Sequence, residues 1–467
     1  AAAANIRMNI IVPMKTVPYL ISVIIASSFA LLAVQPELRI VLPLLTAVTA
    51  LIAVMSALFL YLGERGAPRL SPGVILGVAL VLRIFFLFGP PQLSDDIYRY
   101  AWDGGRTLLG ENPYASAPAA VHPPPGLAYV HSRINHPAYV TIYPPAAQAI
   151  FALGALPGLG VTGLKVLLIL FDMGLCVLII RALGRLGMPL QRCALYAWNP
   201  LPVLEIAGSG HVDGAGLTMF MGAVCMILAE RENLSSPDGR RWVYGLSGAL
   251  TACAALVKLF PIALLPVLTM LIPARRRPSY ILAFAAASAA LILPFLPHLV
   301  NMADTLGVYS RHWEFAGFAF NALRKLTGSG GIARMLLSGG FLTASAWIFF
   351  RTARLLKMKP CPVFEGRAVM EAFYATSMAM LLLTPTLQPW YALSLAVFLP
   401  FCAGPAGIVL CWAVFLTYQV QIPYFILGQW TEDPRVTAAV FFATAVACLS
   451  SRFFARRSGA GIAAPDQ

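Results

Sequence analysis

Two carboxylates stand side by side in Leu93-Ser94-Asp95-Asp96-Ile97-Tyr98-Arg99-Tyr100-Ala101-Trp102-Asp103-Gly104, directly after an apolar run ends. A carboxylate can take a proton from a hydroxyl or hold a cation, and aromatic faces stack on pyranose rings. Asp95 and Asp96, with Tyr98, Tyr100 and Trp102 beside them, therefore suit general-base work on a sugar. The same Ser-Asp-Asp run also suits a helix N-cap. The two uses are compatible, with Ser94 or Asp95 capping while Asp96 points into a cavity.

A second group is the Gly-rich turn Gly208-Ser209-Gly210-His211-Val212-Asp213-Gly214, which follows Glu205. His211 and Asp213 could orient a hydroxyl, bind a metal or cap the next helix. Their spacing matches no recognised metal pattern, so no obligatory cofactor is expected; a divalent metal is allowed but not predicted. Lys258 interrupts an apolar stretch, where a charge is expensive unless paired or solvated. It could hold a lipid phosphate and stabilise a leaving group, or it could snorkel or pair with Glu205 or Asp172. Arg99, Arg106, Arg133 and Arg311 are further candidates for phosphate contacts, because a planar guanidinium matches phosphate oxygens in pairs. The turn Gln388-Pro389-Trp390-Tyr391, the patch Arg311-His312-Trp313-Glu314 and His136 could add walls to a sugar site, although membrane interfaces enrich Trp and Tyr regardless of substrate.

These residues must be held by a membrane bundle. Of 467 residues, 59% are hydrophobic and 11% charged, and the mean hydropathy is +0.78, which excludes an ordinary soluble enzyme. The formal charge of +14 would suggest a polyanion in a soluble protein. Here Arg181/Arg185/Arg192, Arg231/Arg240/Arg241, Arg275-Arg276-Arg277, Arg351/Arg354/Lys357/Lys359/Arg367 and Arg452/Arg456/Arg457 instead lie in links between apolar runs. They read as cytoplasmic anchors, so nucleic acid is not an expected partner. The eight cysteines include no Cys-x-x-Cys pair and fall mostly inside apolar runs, which suits packing rather than disulfides. No cleavable leader is expected, because the first apolar run leads into Gln35-Pro36-Glu37 and then another span.

The apolar runs predict about 14 spans, near 17-34, 40-62, 72-89, 163-181, 191-207, 212-229, 243-257, 260-273, 278-297, 333-350, 369-386, 391-403, 406-424 and 435-451. With a cytoplasmic N-terminus, every basic cluster falls on one side and both termini are cytoplasmic. The short spans around Lys258 and at 391-403 suggest broken helices lining a cavity; one kinked helix over 243-273 is the alternative. The segment 90-142 is too long for a mere connector and is expected to be an external functional loop. A second external loop covers 299-332, and 144-160 is expected to lie in or dip into the outer interface.

The acidic run, Gly110-Glu111-Asn112-Pro113-Tyr114, Ile134-Asn135-His136-Pro137 and Thr141-Ile142-Tyr143-Pro144-Pro145 together resemble bacterial GT-C glycosyltransferases. The group they resemble is the polyprenyl-phosphate-mannose-dependent mannosyltransferases. Trp198-Asn199-Pro200, Gly210-His211-Val212-Asp213, Leu256-Val257-Lys258-Leu259-Phe260-Pro261 and Pro389-Trp390-Tyr391 follow in the order of that group, and the resemblance covers roughly 72 to 425. It implies an all-α polytopic enzyme of the inner membrane that takes mannose, or another monosaccharide, from a polyprenyl phosphate. Transfer to a lipid-linked or glycan acceptor would take place on the extracytoplasmic face, with inversion. It also maps the base onto the Asp95-Asp96 pair. Lys258, Arg99 and Arg311 would hold donor phosphate. Tyr98, Tyr100, Trp102, His136, His211, Asp213, His312, Gln388, Trp390 and Tyr391 would line the substrates.

The expected layout is 1-70, a tail and two additional helices; 71-457, the catalytic module; and 458-467, a cytoplasmic tail. The expected partners are the polyprenyl-phosphate sugar donor, a glycolipid or glycan acceptor and membrane lipids, for a monomer. A glycan ligase using a lipid-diphosphate donor and a lipid or sugar transporter or flippase are the competing readings; a transporter should place its essential charges at the midplane.

Overall fold

The computed structural model describes residues 16–232, 240–358 and 361–457. The predicted tail 458-467 and Lys359 lie outside the described residues. Among the described residues there are no strands, only isolated bridges joining Phe315 and Ala316 to Thr386. The longer helices are α1 (Val17–Ala33), α2 (Leu42–Glu64), α3 (Pro72–Leu87), α4 (Asp96–Leu108), α5 (Pro145–Ala155), α6 (Gly160–Arg185), α7 (Asp213–Arg231) and α8 (Arg241–Val257). They continue with α9 (Arg277–Ile292), α10 (Leu299–His312), α11 (Phe318–Thr327), α12 (Gly330–Met358), α13 (Pro362–Leu383), α14 (Pro405–Ala413) and α15 (Pro434–Arg457). Six described helical stretches are long and apolar enough to cross a membrane: Leu42–Glu64, Gly160–Arg185, Asp213–Arg231, Ala274–His312, Gly330–Met358 and Pro405–Leu427. The chain is thus a helical membrane protein. Several of the other spans read from the sequence are shorter helices, such as Val17–Ala33, Pro72–Leu87 and Arg241–Val257.

Several segments differ from their predicted form, among them 391-403, which divides into short turns at Pro389–Ala392, Leu393–Ala396 and Leu399–Cys402. The stretch 191-207 is not one helix: it breaks into turns at Leu190–Cys193 and Ala194–Ala197 and a wide π-helical turn at Pro202–Gly208. Pro200 and Pro202 remove backbone donors there, and Asn199 Oδ1 accepts the amide of Leu201 at 3.0 Å. The run 278-297 tightens through Leu293–His298 and continues into α10, so most of the predicted loop 299-332 is helical, in α10 and α11.

Charge inside the bundle is used to anchor its backbone. Arg83 of α3 donates through Nε to Asp172 Oδ2 of α6 at 2.7 Å and through Nη1 to the carbonyls of Ala79 and Ala197 at 2.9 and 2.7 Å. Tyr196 donates to the other Asp172 oxygen at 2.6 Å. Asp172 is therefore engaged by Arg83 and is not the partner of Lys258. Lys165, also enclosed, donates to the carbonyls of Phe86 and Gly89 at 3.0 and 2.8 Å, closing the end of α3 and aiming the chain toward Asp96.

The acidic helix is held by close backbone approach. A Cβ on Gly104 of α4 would lie 2.3 Å from the carbonyl oxygen of Phe151 in α5. Only glycine allows the two helices to meet at that distance. Gly104→Ala is expected to push α4 from α5 and to cost about 1–3 kcal/mol of stability, read as a lower unfolding temperature in detergent. Transfer activity should fall with it, since Asp96 rides on α4.

Candidate active site

Helix α4 starts at Asp96. Ser94 Oγ accepts the Asp96 amide at 3.3 Å, while Asp95, at the N-cap position, makes no side-chain cap. Asp95 turns instead toward the loop between α1 and α2, where Arg39 Nη2 meets its Oδ1 at 2.9 Å. The same loop grips Gln92, whose side-chain oxygen accepts the Leu38 amide at 2.7 Å and whose carbonyl accepts Arg39 Nε. A cavity of about 200 Å³ opens between this loop and the Glu205 turn, lined in part by Leu32, Gln92, Leu93, Leu204 and Ser209.

Asp96 points the other way, into the bundle. Its Oδ1 accepts Asn135 Nδ2 at 3.0 Å and its Oδ2 accepts the Tyr143 hydroxyl at 3.0 Å. Tyr100 donates in turn to the Tyr143 hydroxyl at 2.9 Å, its ring stacked on Phe151 with centroids 4.4 Å apart. Burial, and then the charge of Asp96, push the Tyr143 phenol well above its ordinary range. It stays protonated and donates to the facing carboxylate.

Around Asp96 other segments converge. His211 Nδ1 lies 4.0 Å from Asp96 Oδ2, and its Nε2 lies 3.5 Å from Glu205 Oε2. The indole of Trp390 stacks on the imidazole at 4.1 Å with planes 21° apart. Glu205 accepts the Tyr418 hydroxyl at 2.9 and 3.0 Å on its two oxygens. Lys258 sits where α8 ends, with extended backbone at φ −153 and ψ 137; a continued helix would drive the Pro261 ring into the carbonyl of residue 257. The break turns its ammonium to Asp213 Oδ1 at 2.6 Å and over the Tyr391 ring, 4.8 Å from the centroid. The hydroxyls of Tyr391 and Tyr309 meet at 2.5 Å.

The structure therefore gathers Asp96, His211, Asp213, Lys258, Trp390 and Tyr391, with Tyr100 one hydrogen bond behind. It does not gather the rest. Arg99 is occupied by Asp103 at 3.0 Å and by the carbonyl of Tyr139 at 2.9 Å, so its donors are not turned to a phosphate. That pairing only partly offsets desolvation, which holds the Asp103 carboxyl above its usual range. Tyr98 packs on Tyr129 and under Arg133, and Trp102 packs on His131 and Arg106; both are part of the loop's own core rather than sugar platforms. His136 lies edge-on to Trp313, Gln388 leads into the turn at Pro389, and Arg311 and His312 are exposed at the end of α10. Lys258 pairs with Asp213, not with Glu205 or Asp172.

Six participants had no separate role in the sequence reading, Asn135 and Tyr143 entering it only as parts of motifs. Tyr309 and Tyr418 look like ordinary aromatic residues of apolar runs, and Arg39 looks like an interface anchor. Glu205 carried a usable signal, an acid inside an apolar run, where charge is costly unless it has a task. Among the described residues no group of three or more His, Cys, Asp or Glu side chains is arranged to hold a metal ion.

A helical membrane bundle that encloses carboxylates, an imidazole, a lysine and stacking aromatics in one site has the makings of a membrane group-transfer enzyme. The family model described as alpha-(1->6)-mannopyranosyltransferase, N-terminal domain, matches residues 18–274, more than half of the chain, and the protein belongs to that family. It is a membrane glycosyltransferase of the mannosyltransferase type. No curated protein matches it. The matched region includes the two leading helices and carries Asp95, Asp96, Asn135, Tyr143, Glu205, His211, Asp213 and Lys258.

Proposed function

We propose that the protein transfers mannose from a polyprenyl-phosphate donor to a hydroxyl of a glycolipid or glycan acceptor, on the extracytoplasmic face, as GT-C enzymes do. The observation that carries the reading is the setting of Asp96, a carboxylate oriented by two donors and surrounded by an imidazole, a lysine and aromatic rings. Asp96 removes the acceptor proton while the acceptor oxygen attacks C1 of the sugar. The bond from C1 to the phosphate oxygen breaks with its electron pair left on the phosphate, and a single displacement of this kind inverts C1. Lys258, shared with Asp213, stabilises the charge that develops on that phosphate.

Charge placement supports the extracytoplasmic reading. Arg231 meets Glu365, Arg192 meets Glu64 at 3.0 Å and Arg240 meets Glu230 at 3.0 Å, all toward the far end of α7 from Asp213. Helix α7 has 19 residues, about 28 Å of rise, and basic residues favour the cytoplasmic side. This distribution supports a site at the opposite face, beyond the reach of nucleotide sugars.

The donor class is tested with purified protein in nanodiscs, given a glycolipid acceptor and either radiolabelled polyprenyl-phosphate mannose or a labelled nucleotide-linked mannose. Label is expected to move only from the lipid donor. Transfer from the nucleotide sugar alone would overturn the reading, and failure with every monosaccharide donor would turn attention to a lipid-diphosphate-linked glycan.

A further inference from the structure

His211 is the buried group that the mechanism above leaves without a task. Its side chain is fully enclosed, and neither ring nitrogen makes a hydrogen bond within the described residues. Stacking on Trp390 holds the ring plane, so Nδ1 stays aimed at Asp96 and Nε2 at Glu205. Glu205 is enclosed as well, and Tyr418 bridges both of its oxygens. The other charged or titratable groups around this line are the Asp213–Lys258 pair and the phenols of Tyr100, Tyr143, Tyr309 and Tyr391.

A base that takes a proton must give it up before the next turnover, and a relay moves it away from the reacting centre while product is still bound. Resting on the assignment of Asp96 as the base, we propose that His211 and Glu205 form a relay that carries the proton from Asp96 into the bundle and holds it there until product leaves. The bond between the proton and Asp96 Oδ2 breaks as one to Nδ1 forms. The Nε2–H bond breaks as one to Glu205 Oε2 forms. One proton enters the ring and one leaves it, so the imidazole begins and ends neutral and only its tautomer changes. The carboxylate charge moves from Glu205 to Asp96. Reverse transfer, once water replaces product at Asp96, returns the proton to solvent and restores the starting tautomer. The 4.0 and 3.5 Å separations close by about 1 Å when substrates fill the site, as catalytic hydrogen bonds commonly do.

The test is Glu205→Gln. The amide oxygen can still accept from Tyr418 and stacking on Trp390 keeps the ring's orientation, but the side chain can no longer take up a proton. Turnover is expected to fall on the order of tenfold or more, with KM for donor and acceptor unchanged and a larger solvent deuterium isotope effect on kcat. His211→Gln should show the same pattern, and Glu205→Asp should recover part of the rate. Unfolding temperatures of all three variants are measured alongside, and Glu205→Gln carries the result if His211→Gln melts early. Wild-type turnover and isotope effect in Glu205→Gln would overturn the relay. Asp96→Asn separates the two ideas: if it stays active, the base assignment itself falls, whereas an inactive Asp96→Asn beside a fully active Glu205→Gln removes only the relay.

Discussion

Asp96→Asn is expected to lower mannosyl transfer by roughly 10²- to 10⁴-fold, the usual contribution of a positioned general base, while leaving the protein folded. The asparagine oxygen can still accept from Tyr143 or Asn135, which both reach Asp96 at 3.0 Å, so the cost in stability stays near one hydrogen bond, about 1 kcal/mol. Asp95→Asn is the informative control. Asp95 faces Arg39 at 2.9 Å on the outer side of α4, and a partly exposed pair of this kind is worth about 1 kcal/mol or less. Its loss should shift rates by less than about tenfold. Initial rates with saturating donor distinguish the two; equal losses in both variants would contradict the division of labour between the adjacent acids.

The second large effect is on stability. Arg83→Met is expected to cost about 3–5 kcal/mol, because it strands Asp172 inside the bundle with Tyr196 as its remaining side-chain donor and frees the carbonyl of Ala197. The variant should yield little monodisperse protein in detergent and should melt well below wild type. Asp172→Asn should also be costly, since it leaves the fully buried guanidinium without its counter-charge. The double replacement Arg83→Met/Asp172→Leu should recover much of the loss, since exchanging a whole buried pair for apolar packing is far cheaper than breaking it. A double variant as unstable as the sum of the singles would mean that the two residues act independently, through contacts other than their pairing.

Reading residues along the chain succeeds at the first of these sites, whereas Arg83 goes unmarked by it. The membrane class of the protein is written in composition and in the length of its apolar runs, because a hydrocarbon solvent leaves no alternative to satisfied helices. The mannosyltransferase family was legible for a different reason: short motifs around Asp96, Asn135, Tyr143, His211, Asp213 and Lys258 kept their order along the chain. The break at Lys258 was readable too, from a cation and a proline close together in an apolar run. The stretch 191-207 was misread because its hydropathy suits a span while its prolines and the Asn199 cap do not suit one helix.

What the sequence determined by itself is therefore the solvent, the helical class, the family and the short list of residues able to do chemistry. What only the tertiary structure decided is how the pair Asp95-Asp96 is divided, since neighbours on a helix point in different directions and the partners of each come from distant segments. Arg39 draws Asp95 outward, whereas Asn135 and Tyr143 draw Asp96 inward to His211. Likewise Lys258 could have met Glu205, Asp172 or Asp213, all acids in apolar surroundings. Packing assigned Asp172 to Arg83, Glu205 to Tyr418 and Asp213 to Lys258. The physical reason is that pairing among buried charges depends on distances across the bundle, and spacing along the chain does not encode them.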